Sequence, residues 1–379
     1  MANKVVTIAL VAVVIAGAAG AVVLSGVLEQ KEANITIIDG AGKKISLDEP
    51  LTKVVIANTN IPKMCKIIGA TEQVTGLSFY SGGSNDSNWA KFSPHFPNAK
   101  HMSLETLMTA EEIIQVANAV IVPVSSMTIT GLQEKSFNEM GITVIRLNCN
   151  GDTAQEDMEK LTILFGKTAP IIEKYNEYWS FYNSVKDTVV NKVKTAGGFE
   201  EKRFLYYYSG LDSFYNQASA SSSLVENIFG KNILRDIDGL DLTKISNDAS
   251  QIGMVEKITK LDTANPTDYL FFRGASSTHT TSDAATLFEG STIMSKYDSL
   301  SPLSTGKVYL FNSEIMSGCL SYVAYVYIAE ILGVDTGYNP ATLITEYDDK
   351  YGFGESTTGL AFQITVSGTT ASATEIVIS

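Results

Sequence analysis

Asn118-Ala-Val-Ile-Val-Pro-Val-Ser-Ser126 and Asp268-Tyr-Leu-Phe-Phe-Arg-Gly-Ala-Ser-Ser277 repeat one pattern. Each is a short apolar run, rich in β-branched or aromatic residues, that ends in a pair of serines. Such runs read as strands buried on both faces. A Glu-led segment precedes each run, Glu105-Thr-Leu and Glu256-Lys-Ile, and from Glu to the first Ser is 20 residues in both (105 to 125, 256 to 276). A Gly-led apolar strand follows each: Gly141-Ile-Thr-Val-Ile-Arg-Leu-Asn148 and Gly306-Lys-Val-Tyr-Leu-Phe-Asn312. The chain therefore reads as two similar α/β halves.

Between the halves, Thr168 and Pro170 start a helix, as a cap and a first-turn proline do. Ile172, Tyr175, Trp179, Tyr182, Val185, Val189 and Val193 then recur every three or four residues, one apolar stripe. Gly197-Gly198 ends it. The expected fold is α/β: two Rossmann-like lobes with central parallel sheets, joined by one long helix, with a ligand cleft between the lobes. The divisions are 1–30 (export signal or anchor), 31–167 (first lobe), 168–196 (connecting helix), 197–354 (second lobe) and 355–379 (polar tail). A helix in that place is expected to brace both lobes.

Within the first lobe, strands are expected at Ile35–Ile38, Lys43–Leu47, Lys53–Ala57, Val74–Ser78, Ala119–Val124 and Val144–Leu147. Helices are expected at Ile61–Gly69, from Ser103, at Glu111–Val116, Leu132–Met140 and Asp152–Phe165. Phe79 to Lys100 reads as one long loop with Tyr80 and Trp89. A loop of that length with aromatics points to a functional role. In the second lobe, strands are expected at Arg203–Tyr208, Tyr269–Arg273 and Val308–Phe311. Helices are expected at Ser222–Phe229, Ile252–Leu261, Gly318–Leu332 and Pro340–Tyr351. Ser209–Ala220 and Ser276–Asp283 read as polar loops, Asn232–Asp248 as irregular. Ser356 to Ser379 reads as a stray strand or a flexible end.

Composition removes several classes. There are 28 basic and 41 acidic residues, a net charge of −13. That excludes a nucleic-acid partner, which needs a basic surface. Three cysteines, Cys65, Cys149 and Cys319, are no disulfide framework, although one bridge stays open. Val5 to Leu28 is an uncharged apolar run behind Lys4. It is long enough to span a bilayer and is also compatible with a cleaved export signal. Lys4 before it and Glu29 after it place the remainder outside the cell. No Cys follows it to carry a lipid.

These pieces, taken in order, resemble the substrate-binding proteins of ABC importers, in particular the group that binds iron–siderophore complexes, haem or cobalamin. The resemblance covers about residues 35 to 350. It rests on Lys53-Val-Val-Ile-Ala, Gly69-Ala70 with Val74-Thr-Gly76, Ser103-Leu-Glu105, Asn118-Ala-Val-Ile-Val, Gly141-Ile-Thr-Val and the long helix. In the second half it rests on Val225-Glu-Asn-Ile-Phe-Gly-Lys-Asn232, Glu256-Lys-Ile and Asn265-Pro-Thr-Asp-Tyr-Leu. The resemblance implies a cargo-binding protein rather than an enzyme, without a resident cofactor. It implies an ABC permease as partner, and through it an ATPase subunit. In that family one exposed Glu on each lobe meets permease arginines, a geometry that fixes orientation as well as adding attraction. By position these are Glu105 and Glu256. About three extra residues separate Glu256 from Asn265-Pro266, a departure from the family spacing.

The expected ligand contacts are Asn58, Tyr80, Trp89 and Ser125 from the first lobe, and Tyr208, Arg273, Ser276 and Glu314 from the second. Tyr and Trp offer flat area to a macrocycle or an aromatic siderophore. Arg273 suits carboxylate or catecholate charge. Besides a sensory ectodomain on the same fold, which would need a signalling partner, two rivals stay open. One is direct capture of a bare metal ion, for which the chain offers only His95, His101 and His279. The other is a chelatase-like enzyme on the same fold, although the chain has no G-x-S-x-G, phosphate-loop or H-E-x-x-H signature.

Overall fold

The computed structural model describes residues 35–79, 85–103, 109–124, 129, 131–244, 246–275 and 280–378. The apolar run 5–28, Tyr80, Glu105, Ser125, Ser276 and His279 lie outside the described residues. Among those described, no helix is long and apolar enough to cross a membrane. The fold is α/β, with a five-stranded and an eight-stranded sheet, a separate two-stranded hairpin and one long helix, Ala169–Ala196, among the described residues. The described residues group into two compact units. Those within Met1–Asn148 and Glu156–Tyr175 form one, and those within Cys149–Gln155 and Asn176–Ser379 the other. The long helix thus contributes its first residues to the first unit and the rest, including buried Tyr178, Trp179, Tyr182, Val185, Val189 and Val193, to the second.

The first unit opens with an antiparallel hairpin, β1 (Ile35–Ile38) and β2 (Lys44–Leu47). Its sheet holds β3 (Val54–Ala57), β4 (Val74–Phe79), β5 (Lys100–Ser103), β6 (Ala119–Val122) and β7 (Thr143–Arg146). All five are parallel, in the order β5-β4-β3-β6-β7. The strands β3 and β6 are buried at every position, because helices cover both faces of a parallel sheet. Helix Asn60–Ile68 buries Ile61, Met64, Cys65, Ile67 and Ile68. It ends where Gly69 turns to φ +78°, a left-handed angle that suits glycine. The hairpin is tied to the sheet by Asp39. Its buried carboxylate accepts from the Ala41 and Lys43 amides at 3.0 and 2.9 Å and from the Arg146 amide at 3.1 Å. Lys43 and Arg146 also both reach Glu134, at 2.8 and 3.0 Å. Burial pushes the Glu134 carboxyl up, but the hydrogen bonds and charges of these two cations outweigh it, and its pKa lies below the ordinary value.

Two expectations for this unit need correction. Phe79–Lys100 is not one loop, since it holds helix Asn85–Phe92 and leads into β5. Ser103 ends that strand rather than starting a helix. Neither element has a strong pattern: the helix reads Asn-Asp-Ser-Asn-Trp-Ala-Lys-Phe, and β5 is a polar edge strand.

The second unit begins with β8 (Arg203–Tyr208), then β9 (Ser213–Tyr215), β10 (Lys231–Asn232), β11 (Ser246–Asp248), β12 (Tyr269–Arg273) and β13 (Val308–Phe311). Parallel β10-β8-β12-β13 repeats the order β4-β3-β6-β7 of the first unit. Around this parallel centre the margins are antiparallel. Strand β9 pairs with Tyr207 and Tyr208 at the far end of β8, and β11 pairs with β9. Ser209–Ala220, read as a polar loop, therefore contains a strand. Residues 355–379, read as a polar tail, carry β14 (Ala361–Ser367) and β15 (Thr370–Glu375). This hairpin extends the sheet beyond β13, and Ala361, Phe362 and Ile364 are buried. One face of the sheet packs Leu205, Tyr207, Leu270, Phe272, Leu310 and Phe362 into a single core with the covering helices. Cys65, Cys149 and Cys319 are buried, and no disulfide joins them.

Candidate ligand site at the carboxyl edge of the second sheet

The strand sequence Arg-Phe-Leu-Tyr-Tyr-Tyr alternates across the sheet. Leu205 and Tyr207 enter the core on one face. Phe204, Tyr206 and Tyr208 stand on the other, beside Tyr269, Phe271 and Arg273 of β12, because the register pairs Phe271 with Tyr206 and Arg273 with Tyr208. Ring contacts of Phe229 with Phe204 and Phe271 fix the lower part of this face. Towards the carboxyl end the rings change from Phe to Tyr and the row ends in one cation.

The Arg273 guanidinium lies over the Tyr208 ring, 4.7 Å from its centre. Tyr208 in turn packs against Tyr215 of β9, with ring centres 5.6 Å apart, and Tyr215 stacks on Tyr206 at 6.2 Å. Burial pushes the Tyr215 hydroxyl up to about 12, against the pull of the Arg273 charge and hydrogen bond. Tyr206, fully buried, is raised for the same reason and opposed by the same charge. These phenols stay neutral at any physiological pH. Arg273 Nε is buried and makes no hydrogen bond. The site therefore joins flat neutral rings to a fixed cation with one donor unspent. Such a group favours an acceptor-rich, negatively charged ligand with aromatic or macrocyclic faces.

Glu314 belongs to the same edge. It follows β13, whose last residue Phe311 pairs with Arg273. Its amide donates to the side chain of buried Asn312 at 2.9 Å, which starts the short helix Ser313–Met316, and its carboxylate is half-buried. Of the second-half expectations, Tyr208 and Arg273 are brought into contact and Glu314 lies in the short helix that follows the adjacent strand. Tyr206 and Tyr215 were missed. The Tyr206-Tyr-Tyr208 run marked the first. Tyr215 was hidden because Phe214-Tyr215 is too short an apolar pair to signal a strand.

The first-unit candidates behave differently. Asn58 is half-buried, and its side-chain oxygen accepts from the Asn60 amide at 2.5 Å and the Ile61 amide at 3.4 Å, so it serves the start of helix Asn60–Ile68. Asn148, at the end of β7, likewise accepts from the Val124 amide at 3.2 Å. Trp89 sits on helix Asn85–Phe92 and stacks on His101, with ring centres 4.8 Å apart and planes 13° from parallel. Glu256 is exposed, and it lies within the helix expected from Ile252. Helix Ile252–Ala264 begins four residues earlier, which puts Glu256 in its second turn. Among the described residues, no three His, Cys, Asp or Glu side chains converge as metal ligands do.

No protein-family model matches the chain, and no curated protein sequence matches it. Solved structures match it over most of its length. The TroA-like periplasmic binding protein FepB of Veillonella parvula aligns with a TM-score of 0.61 at 14% identity, over 91% of this chain and 100% of its own. The fold is that of the periplasmic binding proteins. An ABC-type Fe3+-hydroxamate transport system protein of Saccharomonospora viridis aligns with a TM-score of 0.57 at 14% identity, over 79% of this chain and 99% of its own. A periplasmic heme-binding protein of Pseudomonas aeruginosa gives 0.51 at 10% identity, over 86% and 99%. At such identities the periplasmic-binding-protein fold is what the likeness carries, and cargo is a matter for the side chains.

Proposed function

We propose that the chain is the extracytoplasmic solute-binding component of an ABC importer and not an enzyme. Its cargo is a metal chelate with negative charge and flat faces, an iron–siderophore complex or haem, with cobalamin as the uncharged-ring alternative. The observation that carries the reading is Arg273, a half-buried guanidinium whose Nε has no hydrogen-bond partner, set among Tyr206, Tyr208 and Tyr215 at the carboxyl edge of a parallel sheet centre. Ligands of open α/β sheets lie at such edges. The fold shared with periplasmic proteins supports the role, and two of the similar proteins are an Fe3+-hydroxamate transport protein and a heme-binding protein.

The test is direct binding by the full chain. Ferric hydroxamate, ferric catecholate, haem and cobalamin are titrated separately, with native mass spectrometry and visible absorption as readouts. One of them should bind with a dissociation constant of about 1 µM or tighter. Arg273→Ala should weaken it about tenfold or more, the loss expected of a charge-assisted contact. Failure of all four to bind would overturn the reading.

Delivery follows from the same proposal. Glu105 and Glu256 dock the permease, and the apolar run 5–28 holds the protein at the outer face of the membrane. Glu105→Ala with Glu256→Ala should leave cargo affinity unchanged and abolish uptake by cells. Normal uptake by the double variant would end the docking assignment.

A further inference from the structure

The chain just beyond Tyr208 is held in an unusual shape. Ser209–Leu211 forms one 3-10 turn, and Asp212 closes it in the left-handed region, at φ +46° and ψ 48°. That region is unfavourable for a residue with a Cβ, although aspartate tolerates it better than most. Such a conformation persists where the surroundings over-determine it. The Asp212 amide donates to the Ser209 carbonyl at 3.2 Å, and the Asp212 carbonyl accepts from the Ala249 amide at 2.9 Å. The Asp212 carboxylate accepts from the Tyr207 hydroxyl. Burial first, and the bond to Asp212 next, push the pKa of that phenol up, so it stays a donor. The Ser213 hydroxyl donates to the Leu211 carbonyl at 2.8 Å. The Ser209 hydroxyl reaches the Arg273 carbonyl at 3.4 Å, which ties the turn to the end of β12.

Gly210 lies against Tyr208. A Cβ on Gly210 would stand 2.6 Å from the Tyr208 hydroxyl oxygen and 2.7 Å from Cζ, closer than Cβ contacts come. Glycine therefore leaves the ring room to take its place beneath the Arg273 guanidinium, 4.7 Å from the ring centre. Leu211 comes next, and it is 60% exposed. A lone exposed leucine is ordinary on a protein surface. This one is set apart by its support. It stands on backbone tied from both sides, three residues beyond Tyr208, at the edge that carries the cation and its rings. An apolar side chain fixed in water at that place gains by being covered.

We infer, resting on the cargo reading above, that the turn Ser209–Asp212 is part of the cargo site, with Gly210 positioning the Tyr208 ring and Leu211 touching the cargo. The cargo is then an amphipathic chelate. It brings anionic oxygens to Arg273, a flat face to Tyr208 and a hydrocarbon side to Leu211. Ferric citrate, whose surface is carboxylate and hydroxyl throughout, lacks the last two.

Haem, ferrioxamine B, ferric enterobactin, cobalamin and ferric citrate are the probes, titrated into the full chain and its variants by visible absorption and native mass spectrometry. Ferric citrate should bind at least about tenfold more weakly than the best of the other four. Leu211→Ser should weaken that best chelate about fivefold, as loss of part of a covered leucine side chain does. Its melting temperature should match the parent's, because the side chain is exposed in the free protein. Leu211→Met, which keeps the apolar bulk, should stay within about twofold of the parent. Gly210→Ala should weaken the best chelate about fivefold by displacing the Tyr208 ring, and less than about twofold in a Tyr208→Ala background, where no ring is left to displace. Equal affinity of the parent and Leu211→Ser would overturn the inference, and so would ferric citrate binding as tightly as the best of the others. An equal cost of Gly210→Ala with and without the Tyr208 ring would overturn the positioning role. If the parent binds a chelate and Leu211→Ser binds it equally well, the cargo reading stands and this inference alone falls. If no probe binds the parent, both fall.

Discussion

The two sheets share a strand order but spend their carboxyl edges differently. In the first unit, Asn58 and Asn148 turn their side-chain oxygens onto backbone amides. They hold the chain in place through those oxygens. In the second, Tyr208, Tyr215 and Arg273 rest on one another through ring faces, and a guanidinium donor stays idle. Aromatic packing leaves polar atoms spare where Asx-type capping consumes them. One architecture thus presents a structural edge in one copy and, under the proposed function, a binding edge in the other. The margins differ too, since the first sheet is parallel throughout and the second is extended by antiparallel strands on both sides.

The sharpest break in that comparison is at the added margin. Phe362 of β14 is fully buried in the core of the second unit. Phe362→Ala should destabilise that unit by about 3–5 kcal/mol, the cost of an emptied aromatic site. Denaturant unfolding measures it. A loss below about 1 kcal/mol would mean that the hairpin is an accessory and that the two sheets are more alike than their topology shows.

A crossed pair of substitutions sharpens the contrast between the edges. Asn58→Ala should cost about 1 kcal/mol of stability, as lost caps do, and change chelate affinity less than twofold. Arg273→Ala should do the reverse, with a small shift in melting temperature and the tenfold loss of affinity. If both variants lost affinity alike, the first edge would be a binding edge as well.

What the sequence revealed follows the strength of its patterns. Continuous apolar runs such as Val54–Ala57, Ala119–Val122 and Tyr269–Arg273 marked the parallel strands within a residue or two. The stripe from Ile172 to Val193 marked the long helix. Elements built on weak local preference escaped. Strand β5, Lys-His-Met-Ser, is an edge strand with no apolar alternation, and β9 is three residues long. Both exist because a neighbouring strand offers hydrogen bonds, which local sequence does not display. The same limit applied to the site. Arg273 and Tyr208 were legible as residues at strand ends, but the idle Nε and the part played by Tyr215 depend on cross-strand register. At Asn58 a polar strand-to-helix tip looks alike in sequence whether its side chain caps the helix or faces a ligand, and the structure shows the oxygen on the helix amides.

The smallest expected effect concerns the β1–β2 hairpin of the first unit. Glu134 stands between Lys43 of the hairpin and Arg146 of β7, and these cations depress its pKa below that of an unfolded glutamate. A carboxyl with a lower pKa in the folded state adds stability that is fully present above the unfolded value, about 4.3. That contribution fades as pH falls through the lower folded value. Glu134→Gln removes the titrating group. The variant should therefore be slightly less stable than the parent near neutral pH, and the gap should close on acidification below about pH 4. Thermal melts of both proteins across that range measure the difference, with the first unit's transition as the readout. Added salt should also narrow the gap at neutral pH, because the cluster is only partly buried and its attraction is screened. A gap that widened on acidification would mean that Glu134 is held protonated, and that Lys43 and Arg146 do not act on it as a charged pair.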